Sequence, residues 1–355
     1  MKGKLTCLFA VFVFLSFTSV LAKEPEEIWR ELGKLSGEER QKFLVSKAKT
    51  EGEVAWYTTL SADVLDPLTE GFERRYPGIK TNIWRGRGET VTNRVLIEAR
   101  AGKFSVDVIS GSNENFPVLM KANLVGRYSS PEKGFFYDGS RDQEGYWASV
   151  VNVIVAIAYN TQLVPRSEAP RRYEDFLDPK WSGNFAIDTN PDRAVMTWLK
   201  VWGSEKTEQF LRGLIKNGAA VRSGHLIIAQ LLCAGEFKAA IEVYAFSMVN
   251  LKQKGCPVEI VFPDPVAGAV TPLYVAKRSS RPYAAALLVD YLLSEPGQKI
   301  VVQKRAFSGR KGINIKHPEL DTESKGVQAL LLRPEDAGQL GKKYLELRER
   351  YLLIR

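Results

Sequence analysis

Apolar and polar positions alternate in blocks that predict strand, polar tip and helix three times between Glu51 and Ser112. Val54-Ala55-Trp56-Tyr57-Thr58-Thr59 is an apolar run that stops at hydroxyl side chains. Val64, Leu65, Leu68 and Phe72 then recur at helical spacing up to Arg74-Arg75-Tyr76-Pro77-Gly78. Ile79 to Trp84 predicts a second strand, ending at Arg85-Gly86-Arg87-Gly88-Glu89. Val106 to Ile109 predicts a third, ending at Ser110-Gly111-Ser112. Such repetition builds an open α/β sheet, whose ligands sit beyond the carboxyl ends of the strands.

Ahead of this unit, residues 23–50 are charged and helical in pattern. Ser36-Gly37-Glu38-Glu39 reads as a capping box opening a helix toward Ala48 that stops near Gly52. After it, Trp147 to Ala158 is apolar and rich in β-branched residues. It predicts one long strand or two joined strands, long enough to pass from one lobe into another. A second α/β pattern follows: strands at Asn184–Asp188 and Ala219–Val221, each with helical pattern after it (Val195 to Trp202 and 205–216; Leu226 to Ala234), and a strand at Ala239–Val243 that ends in Tyr244. Val258–Phe262 and Ala269–Ala276 are further extended runs, and 260–275 reads as a second crossing between lobes. Residues 281–304 predict an amphipathic helix pair around Ser294-Glu295-Pro296-Gly297. Residues 334–355 predict an amphipathic basic helix packed on the surface. There is no repeat of fixed period.

Composition adds compartment and partners. Lys2 and Lys4 precede an apolar run from Leu5 to Leu21, and Val20-Leu21-Ala22 fits a small-residue cleavage site. Residues 1–22 therefore read as a cleaved secretory signal peptide, against the alternative of a short anchor. The expected location is periplasmic or extracellular. The formal charge of +9 is spread along the chain, so nothing marks a nucleic-acid surface. Cys233 and Cys256 lie beyond the apolar run. In an oxidising compartment they read either as one disulfide or as two buried thiols.

The chemistry-bearing residues cluster at predicted strand ends. In the first half these are Tyr57, Thr58, Thr59, Arg85, Arg87, Ser110, Gly111 and Ser112. In the second they are Asp188, Asn190, Arg193, Arg222, Ser223 and Tyr244. Arginine forks and helix-start amides suit a carboxylate, phosphonate or phosphate. Arg85-Gly86-Arg87-Gly88-Glu89 is neither a dinucleotide fingerprint nor a phosphate-binding P-loop. There is no Gly-x-Ser-x-Gly elbow and no His-Glu-x-x-His pair, and the two histidines, His225 and His317, leave a catalytic triad few options. An enzyme is not expected, and neither is a cofactor.

The chain resembles the bacterial extracellular solute-binding proteins of ABC importers, in the group that includes ferric-iron, phosphonate, polyamine and thiamine binders. The likeness covers about 50–310. It rests on Phe72-Glu73-Arg74-Arg75-Tyr76-Pro77-Gly78-Ile79, Glu98-Ala99-Arg100-Ala101-Gly102-Lys103, Ala158-Tyr159-Asn160-Thr161, Asp178-Pro179-Lys180-Trp181-Ser182-Gly183, Ala234-Gly235-Glu236 and Leu292-Leu293-Ser294-Glu295-Pro296-Gly297-Gln298. The resemblance implies a type II periplasmic binding protein fold: two α/β lobes with mixed sheets, joined by two hinge crossings. Lobe 1 would span 51–155 and 270–315, and lobe 2 would span 156–269. The N-terminal helical extension would be 23–50, and 316–355 a helical segment packed on the lobes. It implies a solute held in the cleft and delivered to a membrane permease; the strand-end arginines make a small, anionic solute the expected cargo, and the protein is expected to be a monomer. Iron binders of this group carry two adjacent tyrosines where this chain has Tyr244-Ala245; with the second tyrosine absent no metal is expected, and ferric-iron binding is the alternative, in which Tyr244 would be the one phenolate. Tyr57, Trp181 and Tyr244 are candidate flat walls. An enzyme or a sensory module on the same fold is the remaining alternative.

Overall fold

The computed structural model describes residues 23–304, 307–313, 319–320 and 328–353. The expected signal peptide lies outside the described residues. The N-terminal extension forms α1 (Pro25–Leu32) and α2 (Gly37–Glu51). Gly52, in the left-handed region at φ 74°, ends α2, donating its N–H to Ala48 as glycine does at a helix C-terminus. The Ser36 side chain makes no cap hydrogen bond, so the capping box read from sequence does not form. Tertiary contacts anchor α2 instead. Arg40 reaches Asp290 at 2.8 Å and Tyr128 at 2.6 Å, all buried.

The first lobe then builds as the hydrophobic pattern predicts. β1 (Glu53–Thr58) is followed by α3 (Ala62–Arg75), β2 (Lys80–Arg85), α4 (Gly88–Arg100), β3 (Val108–Ser110), α5 (Phe116–Lys121) and the short β4 (Val125–Gly126). β1 pairs in parallel with β2 and β3, which brings Thr58, Arg85 and Ser110 to one end of the sheet. Ser61 occupies the N-cap of α3, yet its side chain makes no cap hydrogen bond.

The long apolar run is a single strand, β5 (Ala148–Asn160). It leads into lobe 2: β6 (Phe185–Asp188), α6 (Asp192–Lys216), β7 (Ala220–Arg222), α7 (His225–Ala234), β8 (Ala239–Tyr244), α8 (Ala245–Gln253) and β9 (Val258–Val261). α6 runs across a kink at Gly203, where φ is 81°. Cys233 and Cys256 are joined by a disulfide with Cα atoms 5.4 Å apart, tying α7 to the approach of β9.

β10 (Val266–Ala276) returns to lobe 1, starting three residues earlier than the sequence pattern predicts. It runs antiparallel to β5 from Gly268–Ile154 to Leu273–Ala148. The register slips between Thr271 and Pro272, where proline lacks an N–H for the ladder. Ser149 Oγ accepts the Thr271 N–H at 3.2 Å beside that slip. The sheet order is β2-β1-β3-β10-β5-β8-β6-β7, so β5 and β10 are its middle. Ile154 is the last β5 residue on β10, and from Val155 onward β5 pairs with β8 and β9.

α9 (Pro282–Leu293) and α10 (Glu295–Gln303) pack back on lobe 1. α9 is not amphipathic as expected. Eleven of its residues are buried, because the helix lies between the sheet and α1, α2 and α3 in one apolar cluster. The chain ends with β11 (Ala329–Leu332), parallel to β10 at Val266–Ala269, and α11 (Pro334–Tyr351). α11 is more than surface packing. Tyr344, Leu347 and Leu352 enter the lobe 2 core with Trp198, Phe210 and Leu214.

Candidate functional site

The strand ends of lobe 2 converge on one polar cluster. β6 delivers Asp188, 3% exposed, and β8 delivers Glu242, 0% exposed, and Tyr244. Glu242 sits at a bulge. Three residues of β8 advance against two of β5 between Val243–Ala156 and Ala240–Ala158, and Glu242 has φ 59°. A bulge re-aims a side chain, and a left-handed non-glycine residue costs about 1–3 kcal/mol that surrounding structure must offset. The helix starts supply the remaining groups. Asp192 and Arg193 open α6, and His225 opens α7.

The hydrogen bonds fix these groups relative to one another. The Arg193 N–H donates to Glu242 Oε1 at 3.2 Å, and Arg193 Nη1 to Asp192 at 2.9 Å. Asp188 accepts the N–H of Asn190 at 2.8 Å and of Gly224 at 2.9 Å. His225 Nδ1 lies 3.2 Å from the Glu242 carbonyl and 3.5 Å from Asp188 Oδ2. The His225 and Tyr244 rings lie 4.4 Å apart, and the Arg193 guanidinium stands 5.3 Å from the Tyr244 ring centre. Within this cluster two buried polar atoms have no hydrogen-bond partner among the described residues, Glu242 Oε2 and Arg193 Nε. Leaving a buried polar group unpaired costs about 1–3 kcal/mol.

Electrostatics follow from this crowding. Burial, reinforced by Asp192 and Asp188, pushes the Glu242 carboxyl well above its ordinary value, against the opposing pull of Arg193. Burial lowers His225, though Asp188 opposes the shift. Burial also raises the Tyr244 phenol. Burial disfavours the Arg193 charge, but Asp192, Tyr244, Glu242 and Glu114 outweigh it and hold the guanidinium protonated. Glu114 is the lobe 1 member of the group. It is exposed at the surface, yet the surrounding protein desolvates and raises its carboxyl, reinforced by Asp192 and opposed by Arg193. Asp192, His225 and Glu242 each place one potential metal-ligand atom within 4.8 Å of the others.

Of the residues predicted from sequence, Asp188, Arg193 and Tyr244 belong to this cluster, with Asn190 beside it. Tyr57 turns away. Its phenol donates to Glu98 at 2.9 Å, and its ring meets Trp84 and Arg94 on the α4 side of lobe 1. Thr58 and Ser110 are buried and bonded to each other at 2.7 Å, with Trp56 Nε1 also donating to Ser110. The Thr59 N–H donates to the Ser110 carbonyl, and buried Gly111 donates to Pro272. Ser112 Oγ accepts from Asn115. Arg85 and Arg87 are exposed at the lobe 1 strand ends. Arg222 and Ser223 are exposed on lobe 2, the Arg222 guanidinium donating to the adjacent Val221 carbonyl. Trp181 is core, against Phe176.

The sequence reading missed Glu114, Asp192 and Glu242 as site residues. Glu242 had a signal: a carboxylate inside the apolar run Ala239–Tyr244 must be paired, neutralised or functional.

A family model described as bacterial extracellular solute-binding protein matches residues 117–326. Solved structures share the fold. The Trichodesmium protein in complex with iron and citrate ligands is 19% identical, with a TM-score of 0.72 over 84% of this chain and 99% of that one. Iron-bound HitA from Pseudomonas aeruginosa is 23% identical, with a TM-score of 0.71 over 85% and 99%. The periplasmic binding protein AfuA from Actinobacillus pleuropneumoniae, with fructose-6-phosphate bound, is 19% identical, with a TM-score of 0.69 over 86% and 100%.

Proposed function

We propose, from the premise that the chain belongs to the bacterial extracellular solute-binding protein family, that it holds a small solute between its lobes and hands it to the permease of an ABC importer. It binds without turnover, as a monomer, outside the cytoplasm. Residues 1–22 serve as its export signal, and no described helix is long and apolar enough to cross a membrane. The lobes divide at 155/156 and 269/270. The change of β5 partners after Ile154 supports the first boundary.

The class of solute follows from charge. Asp188, Asp192, Glu242 and Glu114 face one arginine and one histidine whose protonation burial disfavours. Acid outweighs base, and Glu242 Oε2 is buried without a partner. The cleft thus suits a hard cation, such as ferric iron carried as a carboxylate chelate, better than a bare anion. Asp192, Glu242 and His225 would ligate it with the Tyr244 phenolate. This ligand set differs from the paired tyrosines implied by family resemblance. The 4.8 Å convergence of Asp192, His225 and Glu242 carries the proposal. The chelate's own carboxylates would meet Arg193.

A second reading keeps the anionic solute expected from sequence. Arg193 favours it, since its Nε is buried and unpaired at the start of α6. The fructose-6-phosphate bound to AfuA supports it by analogy of fold. Thermal shift and calorimetry with ferric citrate, citrate alone and fructose-6-phosphate separate the two. The first reading expects saturable stabilisation by ferric citrate, retained iron after gel filtration, and a visible phenolate-to-iron absorption band lost in Tyr244→Phe. Stabilisation by citrate or sugar phosphate without metal would overturn it in favour of the second.

A further inference from the structure

We propose that Tyr344, brought to the cleft by α11, is a positioning residue of the solute site; this rests on the reading of the cleft given above. The C-terminal segment straddles both lobes. On lobe 1, Asn113 Nδ2 donates to the Leu332 carbonyl at 2.7 Å, and Trp147 Nε1 to Glu335 at 3.2 Å. On lobe 2, Lys200 pairs with Asp336 at 2.5 Å. From there α11 runs along α6.

Two of its side chains, one turn apart and so on the same helix face, grip the loop between β6 and α6. Tyr344 donates its phenolic hydrogen to Asn190 Oδ1 at 2.7 Å, and Arg348 Nε donates to the Thr189 carbonyl at 2.8 Å. That loop separates Asp188 from Asp192 and Arg193. Asn190, while its side chain is held by Tyr344, gives its own N–H to Asp188 Oδ1 at 2.8 Å, and Asp188 Oδ2 accepts from Gly224 at the start of α7. One phenol therefore steadies the loop that aims both helix starts of the site. The ring itself is 5% exposed and lies in the lobe 2 core. A phenylalanine would fill that space equally well, so packing alone does not call for the hydroxyl. The same hydroxyl lies within the influence of Asp192, Glu242 and Glu114, which, after burial, raise its pKa.

The test uses the full chain and Tyr344→Phe, which keeps the ring. Amide hydrogen exchange at Asn190 and Gly224, read by NMR in the solute-free protein, should quicken severalfold while the melting temperature stays within about two degrees. Affinity for ferric citrate should fall about five- to tenfold, the scale of one buried hydrogen bond. Asn190→Ala should reproduce the Gly224 effect. Faster exchange in a protein whose parent ignores ferric citrate would uphold the positioning role while rejecting the metal reading. Unchanged exchange at both amides, with unchanged affinity wherever the parent binds, would overturn the proposal and leave Tyr344 as core packing.

Discussion

The backbone N–H of Arg193 donates to one carboxylate oxygen of Glu242 at 3.2 Å, while the other oxygen of Glu242 is buried without a partner. The start of α6 is thus docked onto a carboxylate that is only half satisfied. That imbalance makes the position sensitive to both pH and cargo.

Glu242→Gln should separate these effects. Because burial raises the Glu242 carboxyl far above its ordinary value, its contribution to stability is greatest at low pH and is lost as pH rises through the folded value. The amide removes that loss. At pH 8 the variant should melt a few degrees above the parent when no solute is present, and should match it near pH 4. Ferric citrate affinity should drop at least tenfold. Melting curves across pH with and without chelate give the answer, and equal pH slopes in both proteins would refute the assignment.

Glu51 predicts a second pH effect, far from the cleft. Burial raises its carboxyl to about 7, although it accepts the Ala284 N–H at 2.6 Å at the start of α9. Its contribution is complete below about pH 4.5 and disappears as pH climbs through about 7. Partial solvent access limits the effect to about 1–2 kcal/mol. Urea midpoints for Glu51→Gln should vary less between pH 5 and 8 than those of the parent.

Arg40, Tyr128 and Asp290 form a buried polar knot between the N-terminal extension and α9, with Tyr128 donating to Asp290 at 2.7 Å. Arg40→Ala strands the Asp290 charge and should cost about 3–5 kcal/mol. Tyr128→Phe should cost about 1 kcal/mol. Chemical denaturation of both variants tests the order, and a milder loss for the arginine would contradict it.

Reducing the Cys233–Cys256 bridge, or replacing both with serine, should lower stability by about 3 kcal/mol for a loop of this length. The sequence separation is 23 residues. Solute affinity should be unchanged, since the bridge joins α7 to the approach of β9 behind the cleft. A loss of binding before any loss of fold would mean that the bridge holds α7 in its binding position.

The strands were legible because β-branched runs and polar tips leave a direct trace in the chain. β5 in particular declares itself over a dozen residues. Helix boundaries were legible too, but not their causes: Ser36 and Ser61 sit at cap positions without capping. Side-chain direction was the main loss. Both faces of the lobe 1 sheet are covered by helices, so alternation placed Tyr57 and Thr58 on opposite faces without saying which looked into the cleft. Asn190 and Tyr344 illustrate the limit, for their bond spans 154 residues and no local pattern announces it. Asp192 was hidden by proximity to Arg193, whose charge drew the reading toward anions.

The β5–β10 ladder runs from Gly268–Ile154 to Leu273–Ala148 and stops just before the 155/156 boundary, beyond which β5 trades β10 for β8 and β9. Bending between the lobes therefore concentrates in that short change of partners, and each lobe moves as a rigid body about it. Distance measurements between labels on α3 and α7 should accordingly be displaced on loading.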